Sequence, residues 1–298
     1  MRVLPNGVFC SVVPFHVCLK GMEDAVLCRS DADYDALVKI IFLSTLARNV
    51  IAVIYAVLSN HFHVVILAAS QEDADAYGEE VKRRFSMWLS KCYGVKRILH
   101  GIETKAIMMT DRMHIRNALA YVPRNALDNG QNVDTYKWSG YRGMFCRERP
   151  ESVRPVSGLT SREKRAIMHT CENLSGVSWA LNDRNELEPF YTCDHAYLEQ
   201  AFENDQAYFL KTIGSLNIAE TRYNLEEKPF DMSSDSEVFN ELDSISKKWF
   251  EIPVASLTKD KKFRILPYYF RTRKTTVAQL ARVLGLARNE VRDVLRLK

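Results

Sequence analysis

The sequence predicts an α+β fold: a ferredoxin-like domain, an antiparallel sheet with helices, over residues 1–146, followed by a mostly α-helical region ending in a helix-turn-helix. Three observations predict it. Two β-branched runs, Val50–Leu58 and His61–Leu67, are separated by Ser59-Asn60 alone, which is a hairpin signal. Helical periodicity precedes and follows that hairpin, with a further strand-like run on each side. The last stretch places two apolar helical faces around Gly285.

In chain order, Val8–Cys18 is β-branched and aromatic and reads as a strand. Asp31 to Arg48 reads as a helix, with Tyr34, Leu37, Val38, Ile41, Phe42 and Leu46 at three- and four-residue spacing. After the hairpin, Ser70 and Asp73 cap a helix that runs to about Tyr93. Lys105–Thr110 is the next strand, and Asp111 is the N-cap of a helix towards Tyr121. The order strand, helix, strand, strand, helix, strand is the split β-α-β pattern, with one helix added. Residues 147–258 form an acidic, mostly helical middle region. Within it Thr160 and Glu163 have capping-box spacing, Asp194–Ile213 is one helical stretch, and polar residues 224–240 are a linker. Residues 259–298 form a basic DNA-binding segment resembling a helix-turn-helix, with Thr276 and Gln279 as its cap.

Charge is unevenly spread. The net charge is only +4, but residues 1–146 carry +3, residues 147–258 carry −8 and residues 259–298 carry +9. A basic end of that strength implies a polyanionic partner or a solvated tail. The longest apolar run, near Val50–Leu58, is about half of what a membrane-spanning helix needs, so no membrane association is expected. Pro5, Gly7 and Pro14 break the only N-terminal apolar stretch, which excludes a secretory signal pattern. Seven cysteines, odd in number and without a C-x-x-C, exclude a disulfide framework and a zinc ribbon, and imply a reduced, cytoplasmic protein.

Two motifs carry chemistry. On a strand, His61 and His63 project from one face while Phe62 points to the other, so the imidazoles stand side by side as candidate ligands for a divalent cation. On a helix, Tyr121 and Asn125 share a face at i and i+4. Each pattern also has a plain structural reading, as an incidental pair and as half-buried core. With Phe15-His16-Val17, the run Ala56-Val57-Leu58-Ser59-Asn60-His61-Phe62-His63, Lys105-Ala106-Ile107 before Asp111, and Tyr136-Lys137-Trp138-Ser139-Gly140-Tyr141, the ordered set resembles the REP-associated tyrosine transposases. These are single-tyrosine HUH endonucleases, named for His-hydrophobe-His. The resemblance covers residues 8–145, about half of the chain.

The resemblance implies an HUH nuclease fold and a transposase activity: cleavage and joining of single-stranded DNA at hairpin-forming repeats through a 5′-phosphotyrosine. Tyr121 would be the nucleophile; His61, His63 and Asn125 would hold Mg²⁺ or Mn²⁺. It also implies a monomer acting in cis, with a dimer as the alternative. The sequence departs from the family at Ala126-Leu127, where a Pro follows the Asn, at Ser59, where a Pro is usual, and in residues 101–104. Pro123 falls between Tyr121 and Asn125 and predicts a kink or restart of that helix. A DNA-binding regulator without turnover is the alternative function. For contacts outside the site, Lys82, Arg83 and Arg84 are candidates for the DNA backbone, and Arg288, Asn289, Arg292 and Arg296 line the second C-terminal helix, behind a basic run of Lys259, Lys261, Lys262, Arg264, Arg271, Arg273 and Lys274. Trp138 and Tyr141 are core residues or base-stacking platforms.

Overall fold

The computed structural model describes residues 1–20, 26–94, 99, 101–128, 131–151, 153–216, 225, 235–272, 275 and 277–295. Arg296, Arg273, Lys274 and Thr276 lie outside the described residues, as does most of the 224–240 stretch.

The chain opens on a small hairpin, β1 (Arg2–Val3) with β2 (Phe9–Cys10), followed by β3 (Val13–Lys20). The single strand expected over Val8–Cys18 is therefore divided. Phe9–Cys10 is drawn back onto Arg2–Val3 by the turn between them: Gly7 takes φ +82°, its N–H donates to the Leu4 carbonyl at 2.8 Å, and the Val8 N–H donates to Asn6 Oδ1 at 3.0 Å. After β3 come α1 (Asp31–Arg48), β4 (Ile51–Val57), β5 (Phe62–Ala68), α2 (Gln71–Tyr93), β6 (Glu103–Met108) and α3 (Arg112–Asp128). The four long strands form one antiparallel sheet in the order β4-β5-β3-β6. In sequence order that is 2-3-1-4, the split β-α-β arrangement, and the fold is α+β.

Caps set the helix boundaries. Ser70 accepts from the Asp73 N–H at the start of α2, and Asp111 Oδ1 accepts from the His114 N–H at 2.8 Å at the start of α3. Asn49 closes α1 in the left-handed conformation. Helices α1 and α2 pack on each other and on one face of the sheet; Val17 of β3 faces α2, where Gly78 allows close approach. α3 packs on β4 and β5, from the face that carries the alternate residues of β3 and β5.

The contacts divide the chain into two compact units, Met1–Glu227 and Lys228–Lys298. The region expected to stand alone at 147–258 is therefore shared between them. Its first part joins the first unit through carboxylates that meet basic residues of the N-terminal half: Arg2–Asp194 at 3.2 Å, Arg84–Glu172 at 2.6 Å, Arg116–Glu203 at 2.6 Å and Lys137–Glu186 at 2.5 Å. Thr160 and Glu163 do form a capping box. The stretch Asp194–Ile213 is two helices, His195–Ala201 and Gln206–Ser215, because Glu203 and Asn204 turn through positive φ and Asp205 caps the second. In the second unit, residues 235–240 begin the helix Asp235–Phe250 rather than completing a linker.

Glu80 on α2 is buried and accepts from three guanidinium groups, Arg48 at 3.2 Å, Arg83 at 2.6 Å and Arg84 at 2.6 Å. The Arg83 hydrogen bond, with the other two arginines, outweighs burial and pushes its pKa down to about 2. A depressed carboxyl stabilises the fold above its ordinary titration range and ceases to do so as pH falls through the folded value. Denaturant unfolding of wild type and Glu80→Gln should therefore show a full stability gap at pH 7, closing between about pH 4.5 and 2. A gap constant with pH would exclude this linkage.

Candidate functional site

The sheet brings together residues from two strands far apart in sequence. On β3, His16 and Cys18 alternate with Val17 and share a face. The β3–β5 register sets Cys18 directly opposite His63, with Val65 opposite His16. His16 Nε2 and His63 Nδ1 share a hydrogen bond at 3.1 Å, and the two rings stack with centroids 5.1 Å apart. One ring nitrogen of each histidine and Cys18 Sγ lie within 4.8 Å of one another, and all three residues are buried.

His61 stands just before β5, at the end of the Ser59-Asn60 turn, and is partly exposed. Its ring centroid is 4.8 Å from that of His63, nearly perpendicular at 87°. His61 Nδ1 donates to Asn60 Oδ1 at 2.6 Å, a tautomer that leaves Nε2 as the ring's electron-pair donor. The turn is fastened by Leu58 N–H to the His61 carbonyl at 2.8 Å and by the Leu27 and Cys28 N–H groups, which both donate to the Ser59 carbonyl. Along the neighbouring edge, Tyr136 donates its hydroxyl to the Val57 carbonyl at 2.5 Å and the Val57 N–H donates to the Trp138 carbonyl at 2.9 Å. Burial pushes the Cys28 thiol and the Tyr136 hydroxyl well above their ordinary pKa values, so both are neutral walls.

α3 lays Tyr121 over this cluster. The phenol ring is 5.3 Å from His63 and 6.2 Å from His16 by centroids, edge-on to both. It is 1% exposed. α3 runs unbroken through Pro123, contrary to the expected restart. Pro123 has no N–H for the Leu119 carbonyl. In the following turn Asn125 Nδ2 donates to the Tyr121 carbonyl at 2.8 Å and to the Val122 carbonyl at 3.3 Å, binding the weakened turn to itself. The outer side of α3 is tied to the following helices: Arg116 donates to the Ala201 carbonyl at 2.6 Å and Arg124 to the Ile213 carbonyl at 2.5 Å.

Of the residues singled out from sequence, His61, His63 and Tyr121 come together, and Asn125 is engaged with the backbone of its own helix. His16 and Cys18 were not among the expected ligands, although His16-Val17-Cys18 has the same alternation as His61-Phe62-His63. Imidazole and thiol donors are a poor match for Mg²⁺, which takes oxygen ligands, and a better one for transition-metal cations. Lys82, Arg83 and Arg84 are already occupied: Lys82 pairs with Glu79, Arg83 with Glu80, and Arg84, 16% exposed, with Glu80 and Glu172. Trp138 is buried and stacked on Tyr34, and Tyr141 stacks on Phe209.

In the second unit, helices Val277–Leu284 and Arg288–Leu295 are joined at Gly285, which takes φ +62°. Leu280, Ala281, Leu284 and Val291 are buried between them and their neighbours. Gln279 is also buried, accepting from the Thr275 hydroxyl at 3.0 Å and donating to Asp235 at 3.2 Å. Arg288, Asn289 and Arg292 are exposed.

No known protein family description matches the sequence, and no curated protein is significantly similar to it. Among solved structures, the chain is similar to a REP-associated tyrosine transposase bound to a REP hairpin, with 21% identity over 46% of this chain and 79% of that one and a TM-score of 0.35.

The role of Asn125 in its helix has a direct consequence. Asn125→Ala should destabilise the metal-free protein by about 1–2 kcal/mol, the cost of removing a buried hydrogen-bonding group. Equilibrium unfolding checks it; an unchanged midpoint would mean that the carboxamide does not hold the turn.

Proposed function

We propose that the first unit is a DNA-cleaving and DNA-joining enzyme that works through Tyr121. The observation that carries the reading is the edge-on placement of the Tyr121 ring against His63 and His16, with His61 beside them at the end of β5. The resemblance of the ordered motifs to REP-associated tyrosine transposases supplies the substrate class, single-stranded or hairpin DNA. A phenol has an ordinary pKa near about 10, so it needs a proton acceptor to become a nucleophile near neutral pH. The adjacent imidazoles are the groups available for that task. The phenol oxygen forms a bond to phosphorus, the P–O3′ bond breaks, and the proton taken from Tyr121 is returned to the departing 3′ oxygen. The product is a 5′-phosphotyrosine and a free 3′ hydroxyl, and the reverse reaction rejoins DNA. The resemblance assigns Mg²⁺ or Mn²⁺ to His61, His63 and Asn125. The carboxamide nitrogen of Asn125 is held by its own helix, its Oδ1 is the atom that would serve as that third ligand, and no step above depends on it.

A second reading, a DNA-binding regulator without turnover, is favoured by the burial of Tyr121. Both readings use the second unit in the same way: the exposed Arg288, Asn289 and Arg292 on the helix after Gly285 would contact DNA, as would Arg296. Lys82, Arg83 and Arg84 would contribute less, because each already pairs with a carboxylate, although Glu80 is shared among three arginines and Arg83 stays exposed.

Incubation of the full chain with 5′-labelled and 3′-labelled single-stranded hairpin DNA and divalent cation distinguishes the two readings. The enzyme reading expects a denaturation-resistant adduct that carries only the 3′-side fragment and disappears in Tyr121→Phe. Binding without any adduct supports the regulator, and an adduct that survives in Tyr121→Phe removes Tyr121 as nucleophile. Independently, Arg288→Ala and Arg292→Ala should each weaken DNA binding and lower the salt slope of log K by about 1. An unchanged slope in both would place the DNA contact elsewhere.

A further inference from the structure

The geometry points to a transition-metal site formed by His16, Cys18 and His63, with Cys18 as a thiolate ligand and Zn²⁺ as the cation it fits best. The inference deepens the proposed function, since it concerns the same pocket, but its ligand set shares only His63 with the set that the sequence resemblance implies. Cys18 and His63 are direct cross-strand partners, and His16 is two residues along the same strand face. Three donors of the types Zn²⁺ prefers thus reach one point from two adjacent strands of a rigid sheet, all buried and all within 4.8 Å. With Zn–N near 2.0–2.1 Å and Zn–S near 2.3 Å, tetrahedral ligand atoms stand about 3.3–3.6 Å apart. The 3.1 Å separation of His16 Nε2 and His63 Nδ1 is already close to that. The third donor needs a shift of up to about 1.5 Å, which rotation of the short Cys18 side chain can supply.

Chemical preference points the same way. Thiolate and imidazole are ligands of Zn²⁺ and Co²⁺, whereas Mg²⁺ and Ca²⁺ select oxygen. No carboxylate contributes to the cluster among the described residues. Binding releases the Cys18 S–H proton to solvent, and the proton between His16 Nε2 and His63 Nδ1 moves to the other ring nitrogen of its own histidine, so both imidazoles ligate in the neutral form. The fourth tetrahedral position remains for an exogenous oxygen, and His61, whose ring lies 4.8 Å from His63 at the partly exposed edge of the site, is then the imidazole that accepts the Tyr121 proton in the metal-loaded protein.

The test uses the chelator-treated full chain and Co²⁺ as a spectroscopic substitute for Zn²⁺. Wild type should bind about one Co²⁺ and show the near-ultraviolet thiolate-to-cobalt charge-transfer band, which Zn²⁺ then displaces. Cys18→Ser should lose that band and retain Zn²⁺ at least roughly tenfold more weakly, the low end of what loss of even an outer-shell partner costs. His16→Ala should also lose the band, whereas Cys171→Ser, at an exposed cysteine, should keep it. Absence of a thiolate band in wild type, or its persistence in Cys18→Ser, overturns the inference; neither result requires any variant to be active. The adduct assay separates this from the functional proposal. A band without an adduct leaves the metal site and removes the nuclease, and an adduct without a band does the reverse.

Discussion

The register between β3 and β5 is the constraint on which the rest of the site depends. It sets Cys18 opposite His63 and brings His16 within hydrogen-bond distance of the same imidazole. Because side chains alternate across a sheet, a slip of one residue would send His16 and Cys18 to the face covered by α2 and bring Val17 into their place. The register is held from both sides, since β3 also pairs with β6 and β5 with β4. The core reinforces it: Val17, Phe62 and Val64 are fully buried on the opposite face, where imidazoles would lose their hydrogen bonds. The position of the histidines is therefore fixed by apolar packing on the other side of the sheet.

Electrostatics then fixes α3. α3 carries Tyr121 on its inner side and Arg116 and Arg124 on its outer side. Those arginines donate to backbone carbonyls and, through Arg116, to Glu203 of the following segment. The acidic middle of the sequence thus has a physical account in the first unit: its carboxylates meet Arg2, Arg84, Arg116 and Lys137 and leave those charges unavailable to a polyanion. Exposed ion pairs contribute little individually, but Arg84 and Arg116 are mostly covered, and breaking either leaves a partly buried charge. Tyr121, 1% exposed, lies beneath this packing.

Much of this was legible in the sequence, and the failures have specific causes. The hairpin around Ser59-Asn60 was readable because two β-branched runs meet at a two-residue turn. The His61-Phe62-His63 face was readable because strand periodicity is local. His16-Val17-Cys18 has the same period, yet joining it to His63 requires the pairing of strands 47 residues apart, and no local pattern encodes register. Pro5-Asn6-Gly7 is a turn signal just ahead of the Val8–Cys18 run, and folding Phe9–Cys10 back onto Arg2–Val3 across it takes the start of that run out of the main sheet. Pro123 predicts a kink or restart, and the helix nonetheless continues through it, with the Asn125 side chain bonded to the turn before it. The pairing of Lys82, Arg83 and Arg84 with Glu79, Glu80 and Glu172 shows the limit of reading charge runs: two of the partners lie one helical turn earlier, and the third is 88 residues on from Arg84.

The basic end illustrates the same limit in the opposite direction. Its net charge of +9 over residues 259–298 suggests a diffuse field, but several of its charges are spent inside the unit. Lys259 pairs with Glu290, Lys262 donates to the Leu284 carbonyl at 2.8 Å, and Arg282 forms two hydrogen bonds to Asp235. These contacts fasten the helical pair around Gly285 to the helices Lys259–Thr272 and Asp235–Phe250, so the basic residues at the start of the last helix project from a fixed frame. Arg288 and Arg292 are one turn apart with Asn289 between them, and all three are exposed. The charge that stays exposed in this unit is therefore a matter of a few placed side chains, as the cluster in the first unit is a matter of His16, Cys18 and His63 on one face of a sheet with Tyr121 against them.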